Sequence, residues 1–464
     1  METKDTKYEI STGEMAKVAA SGWLGTAMEF MDFQLYSLAA AIVFTEIFFP
    51  NTDPAIGLIM SMGTYGAGYV ARLVGAVVFG RMGDKVGRRT VLFVTITLMG
   101  LASTLIGFLP TYAEVGLLAP IGLVVLRIVQ GLGAGAEISG AGVMVAEFCR
   151  KKTRGFIGSL VCLGTSSGTL LANLIWTIIL MNMDKASLLA WGWRIPFYAS
   201  FVVMLVAILI RLFVKESPVM AEKKKLLLAE RQETLAAEQE SAPTRKVAGK
   251  SFWVALALRF GQAGNSGLMQ TYLAGFMVTV LAVQKTVATD ANIISSLVSF
   301  VTIPLVGYLG DKIGRRKMYM ILSLLMAVYA IPMMLLIETK DTVLLTIAIV
   351  IGLNLGVQGL FAMENVTLTE LFGARNRMTM VSLAKEIAGL VATGFGPIIA
   401  AAAVSSMTGS WIPVAIMIIV FSLSSFMGAW ISEDVTGRDL NILEDAMAEH
   451  TDEYGELHPH KMGI

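Results

Sequence analysis

Twelve apolar segments, each long enough to cross a lipid bilayer as a helix, take up most of the 464-residue chain. A spanning helix needs about 20 apolar residues to cover ~30 Å of hydrocarbon. The chain is also 55% hydrophobic and only 15% charged, which is too apolar for an ordinary soluble protein of this length. We therefore predict an all-α polytopic membrane protein with twelve transmembrane helices, near residues 17–44, 55–80, 90–109, 117–147, 154–180, 192–214, 251–282, 290–310, 318–337, 342–370, 378–403 and 410–432.

A ten-residue cationic connector occurs twice. Residues 80–89 read GRMGDKVGRR between the second and third segments, and residues 307–316 read GYLGDKIGRR between the eighth and ninth. Glycines in both copies suit the end of a helix and a backbone with positive φ. Two such decapeptides, half a chain apart, indicate two related six-helix halves.

A second internal match supports the repeat. Glu147 and Arg154 flank the loop after the fourth segment, and Glu370 and Arg377 flank the loop after the tenth with the same spacing. One interpretation is that these charges pair across the two halves in one conformation and separate in another. The alternative, which we weigh equally, is that they anchor helix ends at the lipid headgroups.

The distribution of Lys and Arg predicts the orientation. With a cytoplasmic N-terminus, 28 of these residues fall on the inside, and the outside loops hold only Lys185, Lys285 and Lys340. By the positive-inside rule, we expect both termini to be cytoplasmic.

The predicted division of the chain is a cytoplasmic N-terminus (1–16), a first bundle (17–214), a linker (215–250), a second bundle (251–432) and a cytoplasmic tail (433–464). The linker is rich in Lys, Glu and Gln. It could form a helix on the inner leaflet, but we favour a solvated linker.

Several motifs resemble those of a known transporter group. The decapeptides resemble the loop signature G-x-L-A-D-R-x-G-R-K of the major facilitator superfamily, and RIVQG at 127–131 resembles its fourth-helix signature R-x-x-Q-G. Further stretches resemble the metabolite:proton symporters in particular: EFMDF at 29–33, ARLVG at 71–75, GAE at 135–137 and WGWRIPF at 191–197. Leu73 departs from that family's proline. The resemblance implies two pseudo-symmetric six-helix bundles, and members of that family import carboxylates, shikimate-like acids or zwitterions such as proline and betaine with protons.

Carboxylates inside the first helix are our first candidates for the proton site. Asp32 lies 15 residues beyond Lys17, which is roughly 22 Å along a helix, and Glu29 is one turn earlier on the same face. A carboxylate in the membrane interior is costly unless it is paired or protonated. A permanent bridge from Asp32 to Arg127 is the structural alternative, and Glu137 is a second proton candidate.

Cations inside the spans are candidates for binding the solute. Arg127 could hold an anionic substrate by a two-pronged contact or control the charge of a nearby acid. Lys385 could do the same, although pairing with Glu364 is about as probable on the sequence. Polar side chains that could line the same cavity are Gln130, Gln262, Asn265 and Gln358.

These features together predict a secondary active transporter that works by rocking of two bundles. The decapeptides would stabilise one arrangement through Asp84, Arg88, Asp311 and Arg315. We expect proton-coupled uptake of a small carboxylate or zwitterion by a monomer in the plasma (inner) membrane, without cofactor, metal or nucleic acid.

Two other functions compete with that expectation. A drug:proton antiporter shares the loop motif, but its fifth helix carries a Gly-Pro signature that is missing from 164–169. A non-transporting solute sensor would look the same in sequence. Enzyme activity is not expected, because there is no metal-ligand spacing and no nucleophile paired with a histidine.

Overall fold

The computed structural model describes residues 11–50, 54–237, 249–447, 449–451 and 457–459. Ten of its helices are long and apolar enough to cross a membrane, and the long helical segments Pro54–Lys85 and 250–279 complete twelve spans. The first bundle holds span 1 (Thr12–Phe48), span 2 (Pro54–Lys85), span 3 (Arg88–Phe108), span 4 (Leu118–Phe148), span 5 (Lys151–Asn182) and span 6 (Gly192–Leu212). The second holds span 7 (250–279), span 8 (Lys285–Ile313), span 9 (Arg315–Glu338), span 10 (Thr342–Leu371), span 11 (Arg377–Ser406) and span 12 (Ile412–Ile431). The predicted fold class is confirmed.

Shorter elements lie outside the spans. Helices Tyr112–Val115 and Lys185–Ala190 connect spans 3 to 4 and 5 to 6, and strands Glu449–Thr451 and Leu457–Pro459 pair antiparallel in the tail.

Four spans contain a π-helical stretch. These are Ala40–Phe44 in span 1, Gly267–Tyr272 in span 7, Asn354–Gly359 in span 10 and Leu390–Phe395 in span 11. A π-turn widens the helix locally and is frequent at functional sites. The four stretches therefore mark these spans as candidates for the walls of a solute pathway.

Small residues let spans 2 and 4 pack closely. A Cβ at Gly131 or Gly135 would overlap the backbone carbonyl of Gly68 or Arg72, respectively. This is the close approach that the glycine spacing in span 4 predicts. The contact holds Arg72 of span 2 against the middle of span 4.

The two bundles meet along two related pairs of helices, span 2 with span 11 and span 5 with span 8. Both decapeptides lie at the same end of the molecule, which we call the motif face. Span 2 continues as a helix to Lys85, and the positive φ falls at Gly87 (137°) and Gly314 (98°). Of the glycines in each copy, only this one has the left-handed backbone that favours glycine.

The linker corrects one expectation. Pro218–Ala237 is helical and packs on the motif face through Val219 and Lys223, which are both buried, so a solvated linker is wrong for the start of this helix; 238–248 lie outside the described part. We call this segment the linker helix. Nζ of Lys223 donates to the carbonyl oxygen of Asp84 at 2.7 Å and to that of Arg375 at 2.8 Å. A residue of the linker thus bridges loops of both bundles.

The first part of the tail also packs on the motif face. Ala374 N–H donates to the carbonyl of Ile442 at 2.8 Å, and Nη2 of Arg377 donates to that of Leu440 at 2.8 Å. The tail therefore covers the loop between spans 10 and 11.

Candidate functional site

Two buried carboxylates hold the bundles together at the motif face. Glu147 of span 4 accepts from Arg88 of its own bundle at 3.1 Å and from Arg377 of the other at 3.0 Å. Glu370 of span 10 repeats the arrangement. It accepts from Arg315 of its own bundle and from Arg154 of the other, both at 2.6 Å. Each acid thus joins its own decapeptide to the opposite bundle.

The decapeptide aspartates make a second pair of contacts between the bundles. Asp84 accepts from the backbone N–H groups of Met378 and Thr379, in the first turn of span 11, at 3.1 and 2.9 Å. Asp311 accepts from those of Gly155 and Phe156, in the first turn of span 5, both at 2.8 Å. A carboxylate at a helix N-terminus satisfies free N–H groups and faces the positive end of the helix dipole.

These contacts close the motif face in this structure. Glu147, Arg154, Glu370 and Arg377 are all at most 6% exposed, so they do not reach lipid headgroups. Of the two interpretations of these residues, pairing between the bundles fits their positions. That the pairs open and close during transport stays a prediction.

A three-residue cluster crosses between the bundles deeper in the membrane. Arg72 of span 2 donates to Glu29 of span 1 at 2.6 Å and makes a two-pronged contact with Glu386 of span 11 at 2.7 and 2.9 Å. We call these three residues the triad. All three are buried. Two carboxylates and one guanidinium leave the triad with one excess negative charge.

Asp32 lies in a separate polar pocket inside the first bundle. It accepts from the hydroxyls of Ser103 in span 3 and Ser200 in span 6, both at 2.6 Å. Gln130 donates to Ser103 and accepts from Arg127. Asp32 and Arg127 are therefore linked through Ser103 and Gln130, as neighbours in one network.

Glu137 is placed differently from Asp32. It forms a buried ion pair with Arg211 of span 6 and accepts from Thr95 of span 3 at 2.5 Å. Arg211 is 3% exposed and lies in the last turn of span 6.

A cation-rich cluster occupies the second bundle. Glu364 of span 10 lies 3.1 Å from both Arg259 of span 7 and Lys385 of span 11. Lys385 also donates to Asn365 at 2.6 Å. The pairing of Lys385 with Glu364, which the sequence left open, is present, and one carboxylate serves two cations.

The predicted polar residues of the second bundle do not share one cavity. Gln262 accepts from Arg259 and so joins this cluster. Asn265 instead bonds to Ser422 of span 12 at 3.0 Å, and Gln358 is buried in the π-helical stretch of span 10. Asn265 thus ties spans 7 and 12 together.

The sequence analysis did not select Arg72, Glu386 or Arg259 as site residues. Each is a charged residue inside a predicted span, and that signal alone marks a candidate functional group. Their partners could not be read from the sequence, because Arg72 and Glu386 are 314 residues apart.

A cavity of 1200 Å³ opens at the motif face between the linker helix, the first decapeptide and the loop before span 11. Its lining includes Asp84, Lys223 and Arg375 but no member of the triad, of the Asp32 pocket or of the Glu364 cluster. It is therefore distinct from the candidate solute site.

Twelve spans in two related bundles, with ionisable groups at the bundle interface, define a secondary transporter of the major facilitator type. The chain belongs to the "Sugar (and other) transporter" family, whose sequence profile matches residues 52–433. Its relatives are transporters and not enzymes, as expected from the sequence.

Three relatives span nearly the whole chain. The putative transporter YdfJ of Escherichia coli (strain K12) is 53% identical over 425 residues, covering 90% of this chain and 96% of the relative. The shikimate transporter of the same strain is 30% identical over 435 residues, covering 93% and 98%. Its proline/betaine transporter is 27% identical over 461 residues, covering 96% and 90%.

A solved structure shares the fold. The proton:xylose symporter XylE of E. coli, bound to 6-bromo-6-deoxy-D-glucose, superposes with a TM-score of 0.75 at 17% identity, covering 93% of this chain and 98% of that one.

Proposed function

We propose that this protein is a proton-coupled symporter that imports a small carboxylate or zwitterion by alternating access. The observation that carries the proposal is that the two interior clusters have opposite, uncompensated charges. Arg259, Lys385 and Glu364 together carry one excess positive charge, and the triad carries one excess negative charge. A proton would neutralise the triad, and a carboxylate would neutralise the cation cluster.

Arg259 is the best candidate to contact the solute. Its side chain is 17% exposed, whereas Lys385 is 2% exposed. A guanidinium can hold a carboxylate by two parallel hydrogen bonds. Arg127, Gln130 and Gln262 remain proposed solute contacts, and Lys385 would keep Glu364 in place.

The relatives support this solute class. Shikimate is a cyclic carboxylate, and proline and betaine are zwitterions that carry a carboxylate. The excess positive charge of the cluster of Arg259, Lys385 and Glu364 fits an anion better than a sugar. Asp32, Glu29 and Glu137 remain the proposed proton-coupling acids, of which Glu137 is already paired with Arg211.

The orientation belongs to the same proposal. The motif face would be cytoplasmic, with both termini inside the cell and the protein acting as a monomer in the inner membrane. The excess of Lys and Arg in the loops of that face supports this orientation. Because the motif face is closed here, this structure would then be the conformation in which the transporter is not open to the cytoplasm.

The test is uptake of labelled carboxylates, zwitterions and sugars into vesicles that contain the purified protein, with and without an inward proton gradient. We expect gradient-driven accumulation of a carboxylate-bearing solute. Arg259→Gln should raise its KM roughly 10- to 100-fold, because a hydrogen bond to a charged group contributes about 1.5–3 kcal/mol. Lys317→Gln, which removes an exposed cation at the motif face, is the matched control.

Two other results would replace the proposal. Outward movement of the solute as protons enter would make the protein an exporter. Binding of a solute without any flux would make it a sensor. If a neutral sugar were the only solute that accumulates, the charge of the Arg259 cluster would no longer support a carboxylate-bearing solute.

A further inference from the structure

We propose that the triad is the proton site that controls opening of the motif face, with Glu29 as the acid whose proton is released when span 2 leaves span 11. The inference rests on the proposed proton coupling and assigns that coupling to a contact between the bundles. It differs from the expectation of a proton site on Asp32, inside one bundle.

The geometry makes Arg72 a bridge with every guanidinium nitrogen in use. Nε and Nη2 bind the two oxygens of Glu386, and Nη1 binds Oε1 of Glu29. Glu29 and Arg72 belong to the first bundle, and Glu386 belongs to the second. Separating the bundles here breaks the two-pronged contact and keeps the single one.

The charge of the triad favours one bound proton. Oε2 of Glu29 is buried and has no hydrogen-bond partner among the described residues. A buried carboxylate without full compensation is costly, so a proton on either acid removes the excess charge.

Among the described residues, the neighbouring cations contact groups other than Oε2 of Glu29. Arg211 is paired with Glu137, which itself repels Glu29. Lys385, next to Glu386, is held by Glu364. Arg127 donates to Gln130 and, like Arg72, lies 5.2 Å from the centre of the Phe33 ring. The ring of Tyr69 also lies 5.6 Å from Arg72.

The internal repeat provides a comparison within the same molecule. The decapeptide repeat, with its offset of 227 residues, relates Arg72 of span 2 to Ser299 of span 8. Ser299 bonds to Ser166 of span 5 at 2.6 Å, so the related interface is joined by a neutral contact. A contact that only held the bundles together could be neutral on both sides. At this position only the interface of spans 2 and 11 carries charge, and we infer that this charge does more than hold the bundles together.

The same two helices carry the contact that closes the motif face. Asp84 follows Arg72 by 12 residues on span 2, about 18 Å along the helix, and binds the first turn of span 11. Span 2 must leave span 11 for the motif face to open, so the Asp84 contact and the triad break together.

The proton step balances as follows. In the closed arrangement, a proton on a carboxylate oxygen of Glu29 removes the excess charge, and Arg72 is held by Glu386. When Glu386 moves away with span 11, the proton leaves Glu29 for water on the motif side, and the ionised Glu29 keeps Arg72 paired. The closed triad therefore binds one proton more than the open arrangement, so a fall in pH favours closure and a rise in pH favours opening.

The experiment measures opening directly, without a solute. Spin labels on Thr90→Cys and Lys317→Cys, which are exposed and equivalent in the two halves, report the distance across the motif face. The background is Cys149→Ser and Cys162→Ser, which removes both native cysteines. The protein is studied in lipid nanodiscs from pH 5 to pH 8.5.

We expect the open fraction of the protein with the unmutated triad to rise at least fivefold as the pH rises. Glu386→Gln should be open at every pH. Glu29→Gln leaves one acid for one guanidinium and should be closed at every pH. Asp84→Asn, which weakens the other contact between spans 2 and 11, should open more at every pH but keep the pH response.

Misfolding cannot make Glu386→Gln open and Glu29→Gln closed. Each variant by itself also tests whether opening of the motif face loses its pH response. A pH response that survives in both variants and disappears in Asp32→Asn would overturn the inference while leaving proton-coupled uptake standing. A protein whose opening ignores pH although it accumulates solute with protons would also overturn it. Failure of gradient-driven uptake in vesicles is a separate result, which would overturn the proposed function.

Discussion

Asp84 accepts hydrogen bonds from Oγ1 and the backbone N–H of Thr379, at 2.7 and 2.9 Å, so the end of span 2 is fixed to the start of span 11 in the other bundle. Asp311 makes the related contact with span 5. Two decapeptides that look like surface loops in the sequence are thus the points at which each bundle holds the other.

Asp84→Asn should weaken closure of the motif face. The amide keeps one acceptor oxygen but loses the charge that faces the N-terminus of span 11, and loss of such a cap costs about 0.5–2 kcal/mol. Ser159→Cys, on a fully buried residue that faces Gly307 of the other bundle, would report opening through its reaction with a water-soluble maleimide. We expect a rate increase of roughly 2- to 30-fold.

The matched control is Asp439→Asn, which removes a half-exposed ion pair with Lys151. Exposed pairs contribute about 0–1 kcal/mol, so the maleimide rate should change little. Equal rates in the two variants would contradict a role of Asp84 in closure.

Glu370→Gln should lower stability strongly. Arg315 and Arg154 both depend on this acid, and removing one partner of a buried charge network costs about 3–5 kcal/mol. Thermal unfolding of the purified protein would show the loss. Adding Arg154→Gln should recover part of it, because Arg154 is then the cation without an ion pair, whereas Arg315 keeps Asp311 at 3.0 Å. Additive losses would contradict coupling between these residues.

Asp32→Asn should abolish accumulation of solute but leave the fold intact. The amide can bond to the hydroxyls of Ser103 and Ser200, which rotate to donate or to accept. We expect an unfolding temperature close to that of the original protein and continued exchange of labelled for unlabelled solute. Concentrative uptake at the original level would exclude Asp32 from proton coupling.

Docking of the linker helix should strengthen as the pH rises from about 8 to about 10.4. Burial lowers the pKa of the Lys223 amine to about 8, against an ordinary value of about 10.4. The docked state therefore binds fewer protons than the undocked state in this range, and raising the pH favours docking. The distance between labels on Lys225→Cys and Thr90→Cys would follow it.

Lys223→Met should remove this pH response, because no titratable amine then enters the interface. Lys224→Met, on the exposed neighbour, should keep it. Docking that weakens with rising pH in the original protein would contradict the prediction.

Features repeated in the sequence lie together in the structure. The decapeptide occurs twice, and so does the Glu–Arg pair, as Glu147/Arg154 and Glu370/Arg377. The structure brings all four to one face. The linker was not predicted, because a Lys- and Glu-rich composition is typical of solvated segments and does not show that Val219 and Lys223 would be buried.

The sequence by itself determined the membrane class, the twelve spans and their division into two halves, because lipid requires long apolar helices and a repeated chain folds into repeated units. It also marked Glu29 and Asp32 as costly interior acids. Only the tertiary structure decided that Glu29 shares Arg72 with Glu386 while Asp32 bonds to two serines. Which charges meet depends on how helices hundreds of residues apart pack, and no local periodicity records that packing.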